Sequence, residues 1–148
     1  MENKRLFGLV CYLHRQMSRE NNYIFADYGI TPIQLNALMF TYVKNKNDEK
    51  VCQRDIERHV NLRPSSVSSL LSGLQNSGFI NRSCAASDAR TKYVTLTEKG
   101  KSICEENKLL MDKCDGLIQS ALSEEEQETF KNLLKKIIAE IPAEKENQ

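Results

Sequence analysis

The chain has 148 residues, 40% of them hydrophobic and 28% charged, with a formal net charge of +1. That length suits one domain with its own core, and the composition excludes a disordered chain, a fibrous repeat and a cysteine-dense scaffold. Residues 50–101 carry nine basic and four acidic side chains, whereas residues 102–148 carry six basic and eleven acidic.

A cationic middle third in a near-neutral chain is the electrostatic footprint of a module that binds a polyanion. Cys11, Cys52, Cys84, Cys104 and Cys114 are odd in number, irregularly spaced and without a C-x-x-C pair. Neither a disulfide framework nor a zinc ribbon is expected, and most of these thiols should be small buried hydrophobes. His14 and His59 are too few for a histidine-based metal centre, so no metal and no cofactor is expected.

The N-terminal apolar run Leu6–Leu13 ends at His14-Arg15, lacks a small-residue cleavage site and is too short to span a bilayer. It is expected to form one face of a soluble helix in a cytoplasmic chain. Over residues 4–26, Leu6, Leu9/Val10, Leu13 and Met17 have helical spacing with one buried stripe, closed by Gly29. Thr31, Pro32 and Gln34 then supply an N-cap, a first helical residue and a capping box. Leu35, Leu38, Met39, Tyr42 and Val43 continue that helix's apolar face, and Lys44–Lys50 should form a loop.

From Val51 to Asn81 the pattern is two short helices joined by Asn61-Leu62-Arg63. Ile56, His59 and Val60 mark the first. Pro64 opens the second, with Arg63 where an N-cap would sit, and Val67, Leu70, Leu71 and Leu74 give a stripe at i, i+3, i+4 and i+7. Gly78 suits a left-handed helix end. Two such helices and a tight turn compose a helix-turn-helix, here about residues 52–77. Phe79–Cys84 and Thr91–Leu96 are rich in β-formers around the small or polar stretch Ala85–Arg90, a hairpin or wing over about 79–96. Thr97 should cap a helix striped by Ile103, Leu110, Cys114 and Leu117/Ile118. Ser123 and Glu126 open the last one, striped by Phe130, Leu133/Leu134, Ile137/Ile138 and Ile141 as far as Pro142, before a polar end expected to fray. The fold class is mainly α with a small β component: a winged helix-turn-helix between long N- and C-terminal helices.

With the leucine stripe inward, a rotation of about 100° per residue sends Ser65, Ser69, Ser72 and Asn76 outward, with Ser66 and Ser68 on the shoulders. Short hydroxyl side chains let such a helix sit deep in a major groove, without the bidentate base pairing that Arg or Asn offers. Discrimination per contact should therefore be weak, with shape and phosphate contacts supplying much of the affinity. Arg54 and Arg58 lie a turn apart on the preceding helix, which crosses the phosphate backbone in such motifs, and Arg63 precedes the recognition helix. Arg82 is a candidate DNA contact, and Lys92 a candidate phosphate contact. Arg90 is placed to enter a minor groove, with Asp88 holding the loop beside it.

The stretch from Gln53 through Arg63-Pro64-Ser65-Ser66 to Gly78-Phe79-Ile80-Asn81-Arg82, followed by Asp88-Ala89-Arg90 and Val94-Thr95-Leu96-Thr97-Glu98-Lys99-Gly100, resembles the helix-turn-helix and wing of the MarR family of bacterial transcriptional regulators. The resemblance is strong over about residues 30–102. It implies one domain with a winged DNA-binding lobe over 30–97 and dimerisation helices over 1–29 and 98–142. It further implies a homodimer on a palindromic duplex operator, and a repressor released by a small, often phenolic, effector. His14, Arg15 and Tyr42 are the candidate effector-binding groups. An activator, a redox-responsive regulator with a cysteine switch such as Cys11, and a winged helix serving only as a protein-interaction module are the alternatives. No nucleotide-binding, hydrolase or metalloprotease motif is present, so no enzyme is expected.

Overall fold

The computed structural model describes residues 5–18, 26–85 and 88–141, with only the backbone for 85 and 88–91. The expected first helix appears as α1 (Leu6–Met17), with Ser18 in a turn. Residues 19–25 of the expected span lie outside the described residues, and 26–28 form a helical turn before Gly29, whose φ is +62°. The stripe expected to be buried on α1 is exposed: no residue of α1 is buried, and Leu6 is 84% exposed. The other described residues leave it uncovered.

Helix α2 (Pro32–Lys46) opens as its sequence dictates. The Gln34 amide N–H donates to Thr31 Oγ1 at 3.3 Å, and the Thr31 N–H donates to Gln34 Oε1 at 2.9 Å. Leu35, Ala37, Leu38, Thr41 and Tyr42 are buried, Met39 is half-buried, and Val43 is exposed rather than part of the apolar face. Five residues beyond Leu38 a helix has turned by about 140°, which accounts for Val43. The helix runs through Lys44 to Lys46, inside the expected loop, where cations suit a helix C-terminus.

Strand β1 (Val51–Cys52) follows, an element too short to have been anticipated. Helix α3 (Gln53–Val60) begins where the Asp55 carboxylate accepts the Cys52 N–H at 2.9 Å, and ends at Asn61 in the left-handed conformation with φ 50°. His59 lies exposed, stacked on Phe40 with ring centroids 4.2 Å apart, instead of facing the core. Helix α4 (Pro64–Asn76) buries Val67, Leu70, Leu71 and Leu74 as expected. Gly78 takes φ +76° after it, and the Phe79 N–H returns to the Leu74 carbonyl at 2.9 Å. Strands β2 (Ile80–Ala85) and β3 (Asp88–Leu96) form the wing, with β1 on the other edge in the antiparallel order β1-β3-β2. The hairpin tip is narrower than Ala85–Arg90, because Asp88-Ala89-Arg90 already belongs to β3; residues 86 and 87 lie outside the described residues. Within that stretch Asp88 pairs with Ala85, across a register irregularity between Cys84 and Ala85.

Helices α5 (Glu98–Ala121) and α6 (Glu124–Glu140) complete the described chain, and Pro142 with the polar end lies outside it. The chain divides into two compact units, residues 1–110 and 111–148. In the first, Leu38, Ile56, Val67, Leu71, Leu74, Phe79, Ile80, Val94 and Ile103 form the centre of one core. In the second, no residue of α6 is buried, and Leu133, Ile137, Ile138 and Ile141 are each more than half exposed. Only Cys104 among the cysteines is buried. Cys11, Cys52 and Cys114 are half-buried and Cys84 is exposed, so most thiols are not core residues as expected. Burial, with Glu105 adding, pushes the Cys104 thiol up to about 12, which leaves it protonated and unreactive.

The start of α5 is fastened to the end of α4. Thr97 Oγ1 accepts the Gly100 N–H at 3.1 Å and donates to the Gly78 carbonyl at 2.6 Å, while the Thr97 N–H donates to the Phe79 carbonyl at 3.0 Å. Gly100 is required there, since a Cβ would stand 2.1 Å from the Phe79 carbonyl oxygen. Gly100→Ala should therefore lower stability by about 1–3 kcal/mol, the usual range for overpacking, read from urea midpoints; an unchanged midpoint would contradict that contact.

Accepting the Cys52 N–H, with Arg58 and Lys44 adding, holds the Asp55 carboxyl below its ordinary 3.8 although partial burial opposes the shift. A group depressed in the folded state contributes fully above its unfolded pKa and loses that contribution as pH falls through the folded value. The stability gap between the protein and Asp55→Asn should thus be constant above about pH 5 and shrink steadily below pH 3.8. Urea titrations at a series of pH values measure it, and a gap that does not change with pH would refute the assignment.

Candidate nucleic-acid interface

Three elements meet around α4. Its inward stripe packs on the core, so Pro64, Ser65, Ser66, Ser69, Gln75 and Asn76 are exposed, whereas Ser68 and Ser72 are half-buried. Ser72 is thus less outward than a bare helical count expects. Ser69 Oγ donates to the Ser65 carbonyl at 3.1 Å, and Ser72 Oγ to the Ser68 carbonyl at 2.8 Å. Such back-bonding spends each hydroxyl proton on the helix and leaves the oxygen lone pairs outward.

A cleft of about 490 Å³ lies between α3, the start of α4 and β3, lined by Gln53, Arg54, Glu57, Pro64, Ser68 and Lys92. It brings Arg54, Ser68 and Lys92, singled out separately in the sequence, to one place. Arg54 and Lys92 are exposed. Arg58, also exposed, holds Asp55 Oδ1 through Nη2 at 3.1 Å, which offsets part of its charge. Arg63 stands as the extended N-cap residue of α4, without a side-chain cap. Arg82 turns onto α4, with Nε 2.7 Å from Gln75 Oε1 and Nη2 3.2 Å from Ser72 Oγ. The backbones of Asp88 and Arg90 belong to β3, and their side chains lie outside the described residues.

Sequence reasoning missed Gln75 and a second recess of about 410 Å³, where Lys44, Lys50 and Arg58 stand with Glu49 and Asp55 beside Phe40 and His59. Lys44 there is paired with Glu49 at 2.6 Å. The basic surplus of residues 50–101 was the only signal for Lys50. The candidate effector groups differ in burial. His14 and Arg15 are exposed on α1, while Tyr42 is buried, with its hydroxyl donating to Glu105 Oε1 at 3.4 Å. Neither recess is lined by any of the three. Among the described residues no group of three or more His, Cys, Asp or Glu could hold a metal ion, and no helix is long and apolar enough to cross a membrane.

No family model matches the chain. It is 36% identical over 87 residues to the uncharacterized HTH-type transcriptional regulator YwhA of Bacillus subtilis, covering 57% of this chain and 60% of that protein. It is 24% identical over 83 residues to the HTH-type transcriptional repressor Rv2887 of Mycobacterium tuberculosis, covering 56% and 60%. The matched region thus spans about three fifths of the length of these curated relatives. Among solved structures, the chain is similar to Staphylococcus aureus MepR, a transcription regulator of the multidrug efflux pump MepA, with a TM-score of 0.69 and 25% identity over 94% of this chain and 100% of that one. The MepR–DNA complex gives a TM-score of 0.74 and 26% identity, again over 94% and 100%. The helix-turn-helix with its three-stranded wing, together with these similarities in sequence and structure, supports a winged-helix regulator of the MarR type.

Proposed function

We propose that this chain is a sequence-specific duplex-DNA-binding transcriptional regulator. It is cytoplasmic, without catalytic activity, and acts as a homodimer on a palindromic operator. The observation that carries the reading is the two-faced α4: four apolar side chains fully turned into the core and a hydroxyl-rich face left exposed, beside a cleft holding Arg54 and Lys92. Ser65, Ser66, Ser68 and Ser69 would enter the major groove, with Ser72 at its edge. Arg54, Arg58, Arg63 and Lys92 would neutralise phosphates, and Arg90, steadied by Asp88, would reach the minor groove. MepR, similar in fold over nearly all of the chain, has been solved with DNA.

Dimerisation is supported by the apolar side chains left uncovered on α1 and α6, which a second copy would bury. A repressor released by a small aromatic effector is the reading favoured by the relatives, since Rv2887 is named a repressor and MepR has been solved with ethidium bromide. Tyr42 reaches such a ligand only if its contact with Glu105 opens, which leaves His14 and Arg15 as the accessible members of the set. Lobe 30–97 would then bind DNA and the helices over 1–29 and 98–142 would pair the subunits.

Selection of bound sequences from random duplex DNA should enrich a palindrome with half-sites about 34–36 Å, one helical turn, apart; no enrichment would overturn the reading. Arg54→Gln should weaken binding alike across sequences and reduce the slope of log K against log salt by about one. Arg90→Ala should cost about 1–3 kcal/mol of binding. Ile137→Glu with Ile138→Glu should shift the sedimentation mass from two chains to one, and a wild-type protein that sediments as one chain would contradict the dimer.

A further inference from the structure

The sequence puts Arg82 among the candidate DNA contacts. Its guanidinium is engaged elsewhere. Nε donates to Gln75 Oε1 at 2.7 Å and Nη2 to Ser72 Oγ at 3.2 Å, both on the C-terminal half of α4. Ser72 has already given its one hydroxyl proton to the Ser68 carbonyl, so it meets Arg82 as an acceptor. A guanidinium only donates, so Gln75 has to face it with its carbonyl oxygen, and that choice leaves the Gln75 NH2 as the free end of the amide.

The other end of the tie is equally defined. Arg82 stands opposite Val94 in the β2–β3 ladder, and Val94 is also the residue that pairs with Val51 of β1. One side chain therefore joins the recognition helix to one of the two cross-strand rows in which all three strands meet. Two acceptors on different turns of α4 need a planar fork; a lysine ammonium, a point charge on a flexible stem, cannot hold both in that geometry.

We propose that Arg82 is a positioning residue. It braces the wing against α4 and so sets the angle between the groove-entering face and the wing tip, while its charge contributes little to phosphate binding. The same brace makes Gln75 a donor toward DNA, suited to a phosphate oxygen or the acceptor edge of guanine and unable to make the paired donor–acceptor contact with adenine. This inference rests on the DNA-binding reading above, and the test separates the two.

Salt titrations of duplex affinity are compared for the wild type, Arg82→Lys, Arg82→Gln and Arg54→Gln, each with its thermal midpoint measured. Arg82→Lys and Arg82→Gln should lose affinity equally, about tenfold, as expected for a lost charge-assisted hydrogen bond. Both should keep the wild-type salt slope, whereas Arg54→Gln loses about one unit. In a Gln75→Ala, Ser72→Ala background, Arg82→Gln should have little further effect on affinity. Arg82→Lys with wild-type affinity, beside Arg82→Gln with a slope reduced by about one, would make Arg82 a phosphate contact and overturn the brace. Amide hydrogen exchange of residues 80–85 and 92–96 gives a second readout that needs no DNA. It should rise in both Arg82 variants, and exchange identical to wild type would also overturn the brace. A wild type that binds no duplex, with exchange raised in the variants, would sink the regulator reading and leave the brace standing.

Discussion

Burial of one leucine-rich stripe decides what the rest of this molecule can do. Val67, Leu70, Leu71 and Leu74 are each no more than 9% exposed, and α4 has no freedom to turn about its axis while they remain so. Each large apolar side chain contributes roughly 1.5–3 kcal/mol on burial. Rotating α4 by one residue's worth of turn would return at least one of them to water, a loss no surface contact of a serine could offset. The hydroxyl-rich face is outward because the leucines are inward. The position of α4 along its axis is fixed at its far end, where the Phe79 carbonyl takes the Thr97 N–H and lies against Gly100. Helix α4, the wing root and the start of α5 therefore share one fastening point, and a displacement of any of the three is felt by the others.

The chemistry of the exposed face follows from that rotation. In the free chain the Ser69 hydroxyl proton is spent on the helix itself and the outer lone pairs remain, so the face accepts hydrogen bonds more readily than it donates them. Acceptors suit the exocyclic amino groups of adenine and cytosine in the major groove. A hydroxyl can also rotate to donate, which makes such a face tolerant of several bases; affinity then has to come from the cations around it. Arg54 and Lys92 share a cleft with Ser68, whereas Arg58 is partly offset by Asp55. The cationic side chains are thus not equivalent, although their spacing in the sequence makes them look so.

Local rules were enough wherever the determinants lie within a few residues. The capping pairs Thr31–Gln34 and Ser123–Glu126, the left-handed Gly78 and the four-residue stripe of α4 all follow from spacing alone, and each is present. What the sequence hid depends on distance. Strand β1 has two residues, too few for any periodicity, and exists because Val51 finds Val94 more than forty positions away. Asp88-Ala89-Arg90 has the composition of a loop and opens a strand, with Asp88 paired to Ala85. Val43 and His59 look apolar or boundary by position and are turned to the surface by helix phase. Arg82 looks like any other cation of the basic third until the fold supplies Gln75 and Ser72. The apolar stripes of α1 and α6 are readable as stripes, and both are left exposed by the other described residues.

The orientation of α4 can be tested directly by replacing Ser69 with cysteine and following its alkylation by peptide mass spectrometry, with Val67→Cys as the inward control. The account predicts rapid labelling at position 69 in the free protein, strong protection when a selected duplex is added, and slow labelling at position 67 under both conditions. Fast labelling at 67, or labelling at 69 that the duplex leaves unchanged, would show that a different surface of this protein meets DNA.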